Sequence, residues 1–152
     1  IEMHDASIQE ADGADLFIGA AAVADFRVSN PAREKIKKNA QPDLTLTLVE
    51  NPDVIAAVCQ LARRPTLVVG FAAETSDLLS HAREKRVKKG LDLVIANDVS
   101  DPHTSFGSDQ NAVHLIGALS EQHLALASKQ VIAEKIVSIL AERLSEPAAA
   151  SS

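Results

Sequence analysis

Aromatic residues, cysteine and long apolar runs are all scarce in this 152-residue chain. It has four Phe, no Tyr and no Trp, so the aromatic stacking platforms that bind single-stranded nucleic acid are not expected. The single cysteine, Cys59, cannot form an intrachain disulfide and is expected to be a buried, reduced thiol. No apolar run reaches the roughly 18 residues of a membrane-spanning helix, and no secretory signal is visible. We therefore expect a cytoplasmic protein that binds neither nucleic acid nor membrane.

Several catalytic and binding motifs are also missing. The sequence contains no P-loop, no G-x-G-x-x-G dinucleotide fingerprint and no G-x-S-x-G nucleophile elbow. Its five histidines do not stand at metal-ligand spacing from one another or from Cys59. These absences argue against a hydrolase of the G-x-S-x-G class and against a zinc site.

Positive charge is present but concentrated in two places. The net charge is −6, yet ten of the 15 Lys and Arg residues fall within residues 27–38 and 83–89. Clustered cations in an acidic chain favour a site for a small polyanion, such as a nucleoside triphosphate or a phosphorylated metabolite. The apolar content of 46% suffices for one domain with an aliphatic core.

Hydrophobic patterning predicts strands that alternate with helices. Strands are expected at residues 14–23, 44–49, 66–71, 92–96, 112–116 and 123–127, with loops at 24–40 and 97–111. Helices are expected from Asn51-Pro52, from Ser76 or Asp77 to Gly90, and from Ser128 to about Leu144. The fold class is therefore α/β, a Rossmann-like, mostly parallel sheet with flanking helices in three layers. Residues 1–145 are expected to form one domain, and residues 146–152 are expected to be a disordered tail.

Small residues followed by a carboxylate end the first predicted strand. Gly19, Ala20 and Ala21 would let a ligand approach the backbone closely, and Asp25 could hold Mg²⁺ or a ribose hydroxyl. The alternative is that the alanines pack against a helix and that Asp25 caps a turn. The residues alone leave both interpretations open.

The two basic windows have similar pairs of interpretations. The run Lys35–Lys38 (KIKK) could form a lid over phosphates, or it could be a solvated run of charge. Lys85 and Lys89 stand at i and i+4 of a helix, where like charges repel by roughly 0.2–0.5 kcal/mol. A bound anion would relieve that repulsion. The alternative is that cations near a helix C-terminus only complement its dipole.

Two further segments lie where ligands bind in parallel sheets, near the carboxyl ends of strands. The predicted helix start at Asn51–Val54 could bind an anion through its N–H groups, or it could be an ordinary cap. Phe71 ends a strand, where it could flank a nucleotide base or belong to the core.

Six stretches, taken in order, resemble one family. They are GAAAVADFR (Gly19–Arg27), EKIKK (Glu34–Lys38), ENPDV (Glu50–Val54), VVGFAAET (Val68–Thr75), AREKRVKKGLDLVIANDVS (Ala82–Ser100) and FGSDQNAVHLI (Phe106–Ile116). In this order they are similar to the phosphopantothenoylcysteine synthetases, the C-terminal part of the bacterial bifunctional coenzyme A biosynthesis protein.

The resemblance implies a phosphopantothenate–cysteine ligase that uses CTP and Mg²⁺. CTP activates 4′-phosphopantothenate as an acyl-cytidylate, and L-cysteine then displaces CMP. The resemblance also implies roles for particular residues. Nucleotide contacts are implied for Gly19, Ala20, Ala21, Asp25, Lys35, Asn51, Pro52, Asp53, Val54, Phe71, Lys85 and Lys89. Lys35 is also the implied catalytic residue, Ala22 the implied substrate contact and Asp25 the implied metal ligand.

The chain departs from the family at its start. It opens at Ile1 and lacks the family's Asn-x-Ser-Ser-Gly segment, which holds a catalytic Asn, and the FMN-dependent decarboxylase domain. We therefore expect a fragment that is inactive alone and, by resemblance, a homodimer. The alternatives are a non-catalytic nucleotide-binding or dimerisation module and an NAD(P)-binding domain, although the latter lacks its glycine fingerprint.

Overall fold

The computed structural model describes residues 1–37, 43–74, 77–98 and 108–145. Its helices are α1 (Glu2–Ala11), α2 (Val54–Cys59), α3 (Leu78–Lys89) and α4 (Lys129–Ser145). Its strands are β1 (Leu16–Gly19), β2 (Phe26–Val28), β3 (Leu48–Glu50), β4 (Leu67–Glu74), β5 (Leu93–Asp98), β6 (Gln110–Ile116) and β7 (Glu121–Ser128).

Five strands form the main sheet in the order β1-β4-β5-β6-β7. β1, β4 and β5 are mutually parallel, whereas β6 is antiparallel to β5 and β7 is antiparallel to β6. Four of the five strands therefore run in the same direction. The predicted α/β class with a mostly parallel sheet is confirmed.

Each face of the sheet has its own apolar cluster. On one face, α4 inserts Ile132, Ile136 and Leu140 against residues such as Ile95 and Leu115. On the other face, α1, α2 and α3 cover a second set of strand residues. Helices on both faces of one sheet give the predicted three layers.

Helix α1 had no counterpart in the predicted elements, which began at residue 14. Its polar sequence holds few apolar positions, and only Ala11 is fully buried, with Ile8 packed beside it. Two apolar residues in the cluster are too few to show helical periodicity.

The first two predicted strands were too long. β1 stops at Gly19, and residues 20–24 are exposed, so the apolar run of residues 14–23 is only partly a buried strand. In the 44–49 segment only residues 48 and 49 belong to a strand, β3, and Leu44, Leu46 and Leu48 are 54–66% exposed. Alternation of apolar and polar residues predicts which side chains share a face of the strand. In the described structure, nothing covers the face that these three leucines share.

The predicted loop at residues 24–40 contains a strand where it is described. β2 pairs antiparallel with β3, placing Arg27 opposite Val49, and forms a separate two-stranded sheet. This long-range pairing stabilises a strand too short to be recognised from its own sequence.

One predicted helix cap was wrong, and another was right in position but makes no side-chain capping bond. α2 begins after Asp53, whose carboxylate accepts a hydrogen bond from the Ala56 N–H (3.1 Å), so Asn51 is not the cap and Pro52 precedes the helix. Asp77 stands at the start of α3 with φ +47° and makes no side-chain capping bond.

The predicted helix ends and the remaining predicted strands agree better with the structure. Gly90 ends α3 at φ +73°, the left-handed conformation that glycine adopts readily. Ser128 caps α4 by accepting from Val131 N at 3.3 Å. β4 to β7 each extend one to three residues beyond at least one predicted end. Ser76, most of the 97–111 loop and the 146–152 tail lie outside the described residues. In the described part of the chain, no helix is long and apolar enough to cross a membrane.

Candidate functional site

The carboxyl end of β1 and the adjoining middle of β4 form the centre of the site. Gly19 lies opposite Gly70 in the parallel register. A Cβ at Gly19 would lie 2.7 Å from Cδ1 of Ile55, and a Cβ at Gly70 would lie 3.0 Å from the same atom. The missing side chain at Gly19 thus allows close packing of α2, which is a structural reason for this glycine.

Beyond Gly19 the chain leaves the sheet. Ala20, Ala21 and Ala22 are exposed, as is Asp25, so this segment does not pack into the core. The interpretation that the alanines pack against a helix is therefore wrong. Within the described ranges, no group of three or more His, Cys, Asp or Glu side chains could hold a metal ion. A metal at Asp25 would need ligands from a bound molecule.

The Asp25 segment is tied to the residues that precede α2. The Asn51 carboxamide donates from Nδ2 to the carbonyl of Ala24 (2.8 Å) and accepts at Oδ1 from Nη1 of Arg27 (3.0 Å). The backbone N–H of Asn51 donates to the carbonyl of Asp25 (2.7 Å), and Arg27 Nη1 also donates to the carbonyl of Glu50 (2.7 Å). The Asn51 side chain is thus engaged within the protein.

Arg27 was missed as a site residue. It was counted in the first basic window and given no role of its own. Its position follows from the β2–β3 pairing, in which Arg27 stands opposite Val49 and next to the Glu50-Asn51 segment. The sequence carried no local signal for that pairing.

Asp53 connects α2 to α3. One carboxylate oxygen caps α2, and the other lies 2.8 Å from Nζ of Lys89. Partial burial by itself would raise the pKa of the Asp53 carboxyl, but the bonds from Lys89 and from the backbone N–H of Ala56 outweigh it, so the pKa lies below its ordinary value. Because α2 has only six residues, its N-terminus is a weaker anion site than the sequence suggested.

Lys85, which is on α3 like Lys89, reaches the middle of β4. Its Nζ donates to the carbonyl of Phe71 at 2.8 Å, and the Phe71 side chain is 36% exposed. The two α3 lysines therefore extend toward the site, one to β4 and one to Asp53. Acceptors within the protein offset the repulsion expected between their charges.

Lys35 is less closely connected. It lies in an exposed segment after β2, beside Ile36, which is 58% exposed. Lys38, at the end of the same basic run, is outside the described residues. The structure therefore brings together Gly19, the Asp25 segment, Asn51–Val54 and the two α3 lysines, while no hydrogen bond between described residues draws Lys35 into the group.

Comparison with known proteins gives consistent matches. Residues 1–144 match the family model described as the DNA/pantothenate metabolism flavoprotein C-terminal domain. Over 143 residues the chain is 43% identical to the coenzyme A biosynthesis bifunctional protein CoaBC of Escherichia coli (strain K12), covering 93% of this chain and 34% of that protein. The chain thus spans about a third of the length of this curated relative.

Two solved structures share the fold. The crystal structure of the C-terminal domain of CoaBC superposes with a TM-score of 0.72 at 24% identity, covering 94% of this chain and 61% of that one. A Cab2 mutant in complex with phosphopantothenate-cysteine gives a TM-score of 0.64 at 23% identity, covering 93% and 48%. On the match across residues 1–144, this chain belongs to the family of the DNA/pantothenate metabolism flavoprotein C-terminal domain.

Proposed function

We propose that this chain contains the nucleotide-binding part of a phosphopantothenate–cysteine ligase of coenzyme A biosynthesis. In the proposed reaction, the carboxylate of 4′-phosphopantothenate attacks the α-phosphorus of CTP, giving an acyl-cytidylate and pyrophosphate. The amine of L-cysteine then attacks the acyl carbon, forms the amide and displaces CMP. Family membership and the bound phosphopantothenate-cysteine of the related Cab2 protein support this assignment.

The observation that carries the proposal is the direction of the two α3 lysines. Lys85 and Lys89, one helical turn apart, extend to Phe71 in the middle of β4 and to Asp53, the residue before α2. Ligands of such sheets bind at the carboxyl ends of the parallel strands. A triphosphate there would replace one carbonyl and one carboxylate as the acceptor of these ammonium groups. Their charge would stabilise the negative charge that develops on pyrophosphate as it leaves.

The remaining roles follow the family resemblance. Gly19, Ala20, Ala21 and Asp25 would contact the nucleotide, and Ala22 would contact the substrate. The segment Asn51–Val54 (Asn51, Pro52, Asp53 and Val54) and Phe71 would line the base pocket. Lys35 would be the catalytic cation of a lid that excludes water from the acyl-cytidylate. The exposure of Lys35 and its neighbours is compatible with such movement.

Magnesium fits this site as part of the nucleotide complex. Mg²⁺ is commonly held by one or two carboxylates together with phosphate oxygens. Asp25 supplies one exposed carboxylate, and the described residues offer no larger acidic cluster. Bound in this way, the ion would neutralise phosphate charge, and Asp25 would orient the complex.

An exposed apolar surface supports a homodimer. Five side chains in and beside the β2–β3 sheet are 45–66% exposed. They are Val23, Phe26, Leu44, Leu46 and Leu48. Contiguous exposed apolar surface commonly marks a protein interface. We propose that a second copy of the chain covers it, which sedimentation equilibrium would detect as a dimer that Leu46→Asp dissociates.

The proposal extends to a longer protein of which these 152 residues would be one part. We propose that it acts in the cytoplasm and carries an FMN-dependent phosphopantothenoylcysteine decarboxylase domain. We expect these 152 residues alone to form no amide, because they lack the family's Asn-x-Ser-Ser-Gly segment. Product formation by the isolated chain, followed by mass spectrometry, would contradict that expectation.

Calorimetric titration of CTP with Mg²⁺ tests the nucleotide site. We expect binding by the unmutated chain and at least about a tenfold loss in Lys85→Ala/Lys89→Ala, because each cation removed weakens charge-assisted hydrogen bonds. Lys88→Ala/Lys135→Ala is the matched control, since it removes the same charge from exposed positions outside the site.

The outcomes separate the candidate functions. Preference for CTP over ATP and NADP supports the ligase assignment. Preference for NADP would favour a dinucleotide-binding domain, and equal losses in both double variants would place the triphosphate elsewhere. Absence of any nucleotide binding would favour a scaffold or dimerisation module.

A further inference from the structure

A small hydrogen-bonded network lies beside the proposed nucleotide site. None of the proposed nucleotide contacts accounts for its bonds. Arg27 and Asn51 together make three side-chain hydrogen bonds: one with each other, one to the carbonyl of Ala24 and one to the carbonyl of Glu50. The Asn51 backbone N–H adds a fourth, to the carbonyl of Asp25. These bonds join two segments about 25 residues apart in sequence, as the separations of 23 to 27 residues show.

The polar groups of Asn51 are used inside this network. Its Oδ1 accepts from Arg27, while Nδ2 donates to Ala24. The same guanidinium nitrogen of Arg27 serves both Asn51 and the Glu50 carbonyl. These two bonds fix the orientation of the Asn51 carboxamide and leave one N–H and one oxygen lone pair for any other partner. The side chain therefore holds the backbone in place whether or not a ligand is bound.

The network has a defined geometric consequence. Ala24 and Asp25 belong to the exposed segment after β1, and Asn51 stands two residues before the cap of α2. The bonds therefore hold the Asp25 segment beside the residues that precede Asp53. An unsupported exposed segment would have to be ordered when ligand binds, and fixing its backbone costs conformational entropy.

We infer that Arg27 and Asn51 are positioning residues of the proposed nucleotide site, holding the Asp25 segment against the residues before α2. This inference rests on the proposed function and assigns the Asn51 side chain a supporting role within the segment that would line the base pocket. Nucleotide binding depends on these two residues because they hold the backbone in its binding conformation before the nucleotide arrives. Neither side chain needs to touch the nucleotide.

A double-mutant cycle on the full 152-residue chain tests the inference, with CTP and Mg²⁺ as the probe. Arg27→Ala and Asn51→Ala should each weaken binding by about tenfold, the scale of one to two lost hydrogen bonds. The double variant should be no weaker than the poorer single variant, because both changes break one network. Arg63→Ala is the matched control, since it removes an exposed, ion-paired guanidinium in the segment that precedes β4.

Salt dependence distinguishes positioning from phosphate contact. If Arg27 only positions the backbone, the dependence of CTP affinity on NaCl concentration should be the same in Arg27→Ala and the unmutated chain. A shallower dependence, or losses that add in the double variant, would mean direct contact with the ligand and would overturn the inference. Asn51→Asp keeps an acceptor for Arg27 and removes the donor to Ala24 with little change in volume, so it should also weaken binding.

A measurement without ligand keeps the test independent of the proposed function. The Asn51 N–H, which donates to Asp25, should exchange with solvent faster in Arg27→Ala than in the unmutated chain. An unchanged exchange rate would overturn the inference. If the unmutated chain bound no CTP while exchange did accelerate, the nucleotide-positioning role would be rejected along with the proposed function, and the network would be purely structural.

Discussion

Asp53 combines a helix cap with an ion pair, and two substitutions can separate the contributions. Asp53→Ala removes both the acceptor for the Ala56 N–H and the partner of Lys89. Asp53→Asn retains an oxygen that can cap α2 and removes the charge. The difference in unfolding free energy between the two variants therefore measures mainly the cap.

The expected magnitudes follow from exposure. Loss of an Asp cap costs about 0.5–2 kcal/mol. The side chains of Lys89 and Asp53 are 27% and 43% exposed, so solvent screening limits their pair to about 0.2–1 kcal/mol. Asp53→Ala should then lower the free energy of unfolding by about 1–3 kcal/mol, and Asp53→Asn by less than about 1 kcal/mol. The cap matters because α2 contributes the fully buried Val58 to the core.

The pH dependence gives a second signature of Asp53. Its pKa in the folded chain lies below the ordinary value of 3.8. The contribution of the charged form to stability is therefore present above about pH 4 and is lost as pH falls through the folded pKa. Asp53→Asn has no such titration, so its destabilisation relative to the unmutated chain should shrink on acidification below pH 4.

Urea denaturation at pH 7 and pH 3, followed by circular dichroism, measures these differences. Lys89→Ala is a useful companion, because it breaks the ion pair while leaving the Asp53 cap in place. If Asp53→Asn were as destabilised as Asp53→Ala at pH 7, the cap would contribute nothing measurable and the assignment of Asp53 as the helix cap would be refuted.

Three further predictions concern packing. Gly70→Ala places a Cβ 2.9 Å from Leu91 Cδ1 and 3.0 Å from Ile55 Cδ1; it should cost about 1–3 kcal/mol in urea denaturation, and a neutral result would show that both side chains shift freely. Leu140→Ala empties a site that is 1% exposed and should cost about 2–5 kcal/mol; a loss below 1 kcal/mol would contradict the packing of α4 on the sheet. Burial raises the pKa of the Cys59 thiol, so iodoacetamide should label it more slowly at pH 8 in the native chain than in urea; equal rates would contradict its partial burial.

Much of the fold was predictable because its signals are local. The apolar runs of β4 and β5 are buried on both faces, and Gly90 ends α3 at a positive φ. Helix α4 repeats Ile132, Ile136 and Leu140 at helical spacing, and these three residues are buried. Each feature is specified within one helix or strand, so periodicity and end signals were enough to locate it.

The strand boundaries that were predicted wrongly depend on pairing with residues that are distant in sequence. Nothing near residue 26 indicates that β2 pairs with a strand about 20 residues later. The leucines at 44, 46 and 48 alternate as expected for a half-buried strand, yet they remain exposed in this chain. Alternation reports that a face is apolar, whereas its burial depends on what packs there.

The candidate site also has features that local spacing predicted and features that depend on distant partners. Spacing placed Lys85 and Lys89 on one helical face, but their acceptors, the Phe71 carbonyl and Asp53, come from two other elements. For Asn51, the sequence predicted a side chain that caps α2. The side chain does bond within the protein, but to Arg27 and to the carbonyl of Ala24. A residue type limits which bonds a side chain can make, while the chain's topology decides which partners are within reach. Arg27 went unassigned for that reason, since its partners become neighbours only when β2 pairs with β3.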